Sequence, residues 1–388
     1  MRWTLALGLL LLWLAWVVAR GQAAPPPISA RIDLVQALSD SAGDFANVTP
    51  GRAFSFPADH GEHPEFKTEW WYFTGNLSDS AGHSYGYQLT FFRSGVATPE
   101  HPAASSAWAP SDIMMGHFAI SDAESQRFYP FERFARRALG LSGVALQEGK
   151  VAVWLEDWRL EREASGRWSL QASDTLPDGT PITLALTLDE SKPPVLQGQD
   201  GYSRKGPKPE QASYYVALTR LASKGQLTLG DRQMAVGGSS WYDHEWSSSP
   251  LAPGLVGWDW FSLQLDDDWE LMIYLLRYKD GRLEPASSGS LIAPDGRKSA
   301  LELSRFQVEV TSRHRSARGV EYPSGWVVRL PEQQLELEIT PRLLDQEMAS
   351  GVPYWEGAVS LRGTRQGRPV AGSGFVEMTG YDQQPSTP

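Results

Sequence analysis

Trp70-Trp71-Tyr72-Phe73-Thr74-Gly75-Asn76-Leu77 and Trp258-Asp259-Trp260-Phe261-Ser262-Leu263-Gln264-Leu265 share one pattern, with Trp first, Phe fourth and Leu eighth. A turn follows each run, and then a second apolar run that ends in arginine: Tyr87-Gln88-Leu89-Thr90-Phe91-Phe92-Arg93 and Leu271-Met272-Ile273-Tyr274-Leu275-Leu276-Arg277. Further on, Phe118-Ala119-Ile120-Ser121-Asp122 parallels Leu291-Ile292-Ala293-Pro294-Asp295, and Gly238-Ser239-Ser240-Trp241-Tyr242-Asp243 parallels Gly372-Ser373-Gly374-Phe375-Val376-Glu377. Blocks that recur in the same order indicate an internal repeat. The chain therefore reads as two units, at 50–250 and 251–388.

Each unit reads as a series of short strands. Leu335-Glu336-Leu337-Glu338-Ile339 alternates with period two, and Asp79-Ser80-Ala81-Gly82, Pro177-Asp178-Gly179, Asp280-Gly281 and Asp295-Gly296 are hairpin punctuation. The composition agrees: 16 Trp, 36 Gly and 27 Pro in 388 residues favour strands and turns over helix bundles. Only Arg133–Leu141 is expected as a short helix, with a further turn over Pro341–Met348. Strands without helical crossovers pair antiparallel. About eight per unit suffice to close a small barrel that can hold one apolar molecule. The fold expected is all-β, with two tandem antiparallel barrels or sandwiches.

The termini and the charge narrow the function. Met1-Arg2, the apolar run Thr4–Ala19 and Gly21-Gln22-Ala23 before Ala24-Pro25-Pro26-Pro27 read as a cleavable export signal over 1–23, followed by a linker over 24–49. The apolar run falls short of the roughly 20 residues that span a bilayer. A bacterial periplasmic or secreted protein is expected. The net charge of −11 argues against nucleic acid as a partner. The absence of cysteine removes disulfides, thiolate metal sites and a cysteine nucleophile. No Gly-x-Ser-x-Gly elbow supports a serine hydrolase, and no phosphate-binding glycine loop supports a nucleotide. No cofactor is expected.

The densest polar and aromatic cluster is Trp241-Tyr242-Asp243-His244-Glu245-Trp246. On a strand, Tyr242, His244 and Trp246 share one face, and Trp241, Asp243 and Glu245 the other. A histidine between aromatics inside a barrel is a candidate buried acid or base. Glu69, entering the strand Trp70-Trp71-Tyr72, is either paired with an arginine or kept neutral by desolvation. His117 occurs in the first unit only, with Ser290 at the matching place. Asp259, between Trp258 and Trp260, either protonates a substrate or faces solvent. The pair His60 and His63 has metal-ligand character. No third histidine stands nearby in the sequence and zinc-peptidase spacing is missing, so no metal is expected.

Glu69–Gly75, His117–Asp122, Trp241–Glu245, Tyr354–Val359 and Gly374–Tyr381 resemble the AttH-like and carotenoid 1,2-hydratase (hydroxyneurosporene synthase) superfamily, over about 50–385. The resemblance implies two lipocalin-like barrels and an apolar, isoprenoid-type ligand. In the hydratase branch, water adds across a terminal trisubstituted alkene without a cofactor. Its His-x-Trp element looks like His244-x-Trp246, and where that branch has Tyr-x-Asp this chain offers Trp258-Asp259-Trp260. The expected catalytic set is Tyr242, Asp243, His244, Trp246 and Asp259. The expected ligand-binding set is Glu69, Trp70, Trp71, Tyr72, His117, Trp241, Trp258 and Trp260. Three functions follow as expectations: an exported binder of an apolar ligand, a hydro-lyase of the carotenoid-hydratase type, or an accessory module for a cell-envelope or membrane-associated partner.

Overall fold

A computed structural model of the chain describes residues 42–98, 100, 111–248, 251–348, 351 and 353–383. The segment read as an export signal and most of the expected linker lie outside the described residues. The linker's last residues are packed: Val48 is buried, and the Ala46 carbonyl accepts from the Ser248 hydroxyl.

Two antiparallel sheets account for the fold. In the first, Arg127–Arg136, Asp112–Asp122, Ser84–Gly95, Thr68–Asp79, Arg232–Ser247, Ala212–Leu229, Pro181–Glu190, Trp168–Thr175, Trp158–Arg162, Lys150–Leu155 and Ser142–Gln147 lie side by side. This sheet curls until Lys150–Leu155 touches the strands at the opposite end, and the barrel is nearly closed. In the second sheet, Leu255–Leu265 lies between Glu270–Tyr278 and Arg368–Thr379, and the strands form a half-barrel. The fold is a tandem of lipocalin-like barrels. Helical structure among the described residues is limited to four three-residue 3-10 turns.

The repeat read from sequence is the repeat of the fold. Phe73 pairs with Leu89 on one side and Tyr242 on the other. Phe261, its counterpart, pairs with Ile273 and Val376. The third block shifts by two residues: Thr90 pairs with His117 and Tyr274 with Ser288, so the counterpart of His117 is Ser288 rather than Ser290. The terminal arginines have one job in both halves. Arg93 Nε donates to Glu69 at 3.1 Å, and Arg277 Nε donates to Asp259 at 3.0 Å.

The expected helix over Arg133–Leu141 is absent. Arg133 and Arg136 pair with Gly116 and Ile113, so the sheet ladder takes the backbone groups a helix would use. The chain then turns through positive φ at Leu139 and Gly140, at 54° and 74°. The region expected as a turn at Pro341–Met348 starts in the strand Leu335–Pro341 and ends in the two-residue strand Glu347–Met348.

The long aromatic runs have a physical cause. The central strands are buried on both faces, as near-continuous apolar sequence requires. Trp71, Phe73 and Leu77 point into the first barrel, with Leu89, Phe118, Trp158, Trp168 and Tyr242. Phe261, Leu263 and Leu265 fill the second with Trp326 and Trp355. Tyr72, Trp241, Trp260, Tyr274, Ala358 and Phe375 form a third apolar layer, where the barrels pack wall to wall. Gln264 Nε2 spans that layer to the carbonyls of Thr219 and Ser240.

At the closest approach Gly86 faces Ala358, and a Cβ on Gly86 would lie 2.6 Å from the Ala358 Cβ. Overpacking of this kind costs about 1–3 kcal/mol. Gly86→Val is expected to lower the unfolding free energy by about that amount in urea titration.

Candidate functional site

The two faces of Arg232–Ser247 lead to two different polar clusters. The inward face carries Tyr242, His244 and Trp246, as the alternation predicts, and it is closed off by the segment 48–66. Val48, Phe54, Phe56 and Phe66 pack there with Tyr202, Tyr214 and Trp246, and the His63 ring stacks on Trp246 at 3.8 Å. Beneath this strap, Glu69 Oε1 accepts from His63 Nδ1 at 2.8 Å and faces His244 Nε2 at 2.9 Å. Glu69 Oε2 accepts from Arg93 Nε and the His63 amide. His63 Nε2 reaches Asp59 at 3.1 Å, and Asp59 also accepts from Arg52 at 2.7 Å.

Electrostatics fits a structural network. Burial pushes the Glu69 carboxyl upward, but His63, His244 and Arg93 outweigh it and hold it well below the usual carboxylate range. Burial lowers His63, yet Glu69 and Asp59 on either side raise it overall. His244 is lowered by burial against the pull of Glu69. His60, wholly buried against Trp168 and Tyr242 with neither ring nitrogen partnered among the described residues, is lowered well below its ordinary value by burial.

His63, Glu69 and His244 place one ligand atom each within 4.8 Å of one another, the geometry of a candidate cation site. The third ligand that the local sequence lacks comes from the far end of the unit. Every ring nitrogen of His63 and His244 already has a partner, and Arg93 and Arg52 already neutralise the carboxylates. A cation would displace protons and face two guanidinium groups, so these residues fit an ion-pair network better than a metal.

The outward face opens onto a cleft between the barrels. Together with its open mouth it holds about 810 Å³ not filled by protein atoms. Trp70, Tyr72, Phe92, Trp258, Trp260 and Tyr274 give it aromatic walls. Asp243 enters from the first barrel. Its Oδ2 accepts from the Tyr215 hydroxyl at 2.5 Å and its Oδ1 from Trp241 Nε1 at 2.7 Å, while Trp260 Nε1 donates to Tyr215 at 3.1 Å. Burial pushes the Asp243 carboxyl up to about 8 despite these donors. Glu245 is also raised by burial, against the opposing charge of Lys205 at 3.5 Å. From the second barrel, Glu377 accepts from Trp258 Nε1 at 2.7 Å and is raised by burial to about 7. Neutral carboxylic acids in an aromatic cleft are potential proton donors.

The structure thus divides the expected residues. Trp70, Tyr72, Trp241, Asp243, Trp258 and Trp260 line or support the cleft. Tyr242, His244, Trp246, Glu69 and Trp71 face the interior of the first barrel, on the other side of the same wall. Asp259 is turned away from the cleft and bound to Arg277 and the Tyr381 hydroxyl; burial still raises it. His117 lies behind the cleft, on the Tyr354 hydroxyl at 2.7 Å. Sequence reasoning did not place Tyr215, Lys205, Tyr354 and Glu377 in the site. The repeat did align Glu377 with Asp243, and the two now face one cleft from opposite barrels.

The sequence model of a family described as AttH-like matches residues 47–381. The crystal structure of an AttH protein from Nitrosomonas europaea is similar at 35% identity and TM-score 0.76, covering 87% of this chain and 100% of that one. Kievitone hydratase from Nectria haematococca shares the fold at 14% identity and TM-score 0.65, over 87% of this chain and 98% of its own. CghA with Sch210972 does so at 14% identity and TM-score 0.55, over 90% and 98%. No curated protein matches by sequence.

Removing one partner of a buried ion network costs about 3–5 kcal/mol. Glu69→Gln is expected to lose that much at neutral pH in urea unfolding. Because the folded-state pKa lies below the ordinary 4.5, the Glu69 contribution is complete above that value and fades on acidification. The gap between wild type and variant should therefore narrow as the pH falls below about 4.5.

Proposed function

Because the chain belongs to the AttH-like family and its cleft sets carboxylic acids against aromatic walls, we propose that it binds an apolar, unsaturated molecule between its barrels and protonates it. The observation that carries this reading is Asp243, buried in the cleft wall on two donors with its carboxyl pushed to about 8. Such an acid keeps its proton at neutral pH, where an exposed carboxyl has lost it.

The chemistry needs a proton and water. The Asp243 O–H gives its proton to one carbon of a trisubstituted alkene, and the π electrons form the new C–H bond. The other carbon becomes a tertiary cation, and Asp243 becomes a carboxylate. The negative faces of Trp258, Trp260 and Tyr72 favour a cation in the cleft. Water then adds to the cation and releases a proton, giving an alcohol. Hydration is the reaction class suggested by the name of kievitone hydratase, carried over here as part of the proposal. Residues 1–23, read as an export signal, favour an activity in the periplasm or outside the cell.

A carrier without chemistry is the second reading, favoured by the aromatic lining of the cleft. Organic extraction of the purified full chain, with mass spectrometry, is expected to release an apolar unsaturated molecule. In heavy water, wild type is expected to convert lycopene to a tertiary alcohol carrying one deuterium on carbon. Asp243→Asn should form it at least about 100-fold more slowly, the usual contribution of a positioned acid. Equal rates in the two proteins would remove Asp243 as the acid. An apolar extract with no product from wild type would leave the carrier.

A further inference from the structure

Opposite Asp243 the cleft has a second acidic wall. Glu356, on Tyr354–Arg365, is directly cross-strand from Glu377, on Arg368–Thr379. Both carboxyls are raised: Glu356 by burial and then by the charge of Glu377, and Glu377 by burial. No cation is among the groups acting on either. Like charges directly opposite on a sheet repel, and in an apolar wall one of the two carboxyls keeps a proton.

Their partners are few. Glu356 Oε1 accepts from the Tyr72 hydroxyl at 2.5 Å, while its Oε2 has no hydrogen-bond partner among the described residues. Tyr354, two residues away on the same face, is among the groups acting on the same carboxyl. That hydroxyl accepts from Gln88 Nε2 at 2.8 Å and meets His117 Nδ1 at 2.7 Å. His117 Nε2 reaches Glu132 at 3.0 Å, and the Glu132 side chain is partly exposed. A row of proton-bearing groups thus runs from the surface of the first barrel to the cleft wall of the second. The titratable groups facing the pair are Tyr72, Tyr354 and Glu245, with His117 behind Tyr354.

We propose that Glu356 and Glu377 share one proton as a second proton site of the cleft, in which Glu377 takes the proton released by the captured water and Tyr354, His117 and Glu132 pass it to solvent. The proposal rests on the cleft reading above. Asp243 supplies one proton to carbon, and Glu377 as carboxylate receives one from the water oxygen. The chain ends with its proton count unchanged once Asp243 is reprotonated from solvent. One water has then added across one double bond. Glu377 lines the cleft and is the catalytic group here; Glu356 is a positioning residue that keeps the pair's proton while Glu377 ionises.

The test is read without any ligand. Full-length protein labelled with carbon-13 at the glutamate carboxyl is titrated by NMR, with the Glu377 signal assigned by its loss in Glu377→Gln. In wild type the pair is expected to lose its two protons in steps at least about two pH units apart, Glu377 first at about 7, and in Glu356→Gln the upper step should vanish while Glu377 keeps its raised midpoint. Glu356→Asp, which keeps a second carboxyl, should restore the upper step. An upper step that persists in folded Glu356→Gln, or two carboxyls that both ionise in the ordinary glutamate range, would overturn the shared proton. That result would leave Asp243 and ligand binding untouched, and a failed lycopene assay would leave the titration untouched. For the exit route, His117→Asn is expected to shift the pH dependence of lycopene hydration while lycopene binding holds. A pH profile identical to wild type would remove His117 from the route.

Discussion

Burial of the central strands on both faces is the constraint on which the rest of the molecule depends. Over residues 68–77 and 240–247, the strands Thr68–Asp79 and Arg232–Ser247 each have one face in the first barrel and one against the second barrel. A polar side chain on either face is cut off from water and must find a partner or lose its charge. The same strand meets that demand in two ways. On the inner face Glu69 and His244 find each other, His63 and Arg93, and the result is an ion network under the strap. On the outer face Asp243 finds only neutral donors at hydrogen-bond distance, and burial pushes its carboxyl up to about 8. One strand thus carries both the buried ion network and a carboxyl of the cleft, and alternation alone keeps them apart.

The two halves use the repeat differently. Each ties its first strand to its second with an arginine and a carboxylate, Glu69 with Arg93 and Asp259 with Arg277. Each sends a carboxyl from its last strand into the shared cleft, Asp243 from one side and Glu377 from the other. Packing two copies wall to wall therefore makes an acidic, aromatic cavity that neither barrel has alone. The barrel interiors, the expected place for an oily hollow, are filled instead by Trp71, Phe73, Trp158 and Trp168 in the first half and by Trp326 and Trp355 in the second.

Much of the fold was legible because strand repeats leave local marks. The Trp, Phe and Leu spacing, the terminal arginines and the hairpin glycines are all set by neighbours within a few residues. Gly179 and Gly281, for instance, take positive φ at 89° and 82° in their turns. The helix expected at Arg133–Leu141 failed because pairing with Asp112–Asp122 overrode local propensity. The site was half legible. Alternation correctly sorted Tyr242, His244 and Trp246 from Trp241, Asp243 and Glu245, but it carries no information about what lies outside each face. The sequence favoured His244 as the buried acid or base, whereas the carboxyl facing the cleft is Asp243. Tyr215, Lys205 and Glu377 reach the cleft from strands and loops far away in the chain, and only the packing of one barrel on the other brings them there.

The central claim is that packing of the two barrels dries the cleft enough to keep Asp243 neutral. Infrared difference spectroscopy of wild type against Asp243→Asn, across pH, reads that state directly. The account predicts a protonated carboxyl C=O stretch at pH 7, missing from the variant, that disappears as the pH rises through about 8. A spectrum in which Asp243 is already a carboxylate at pH 6 would contradict it.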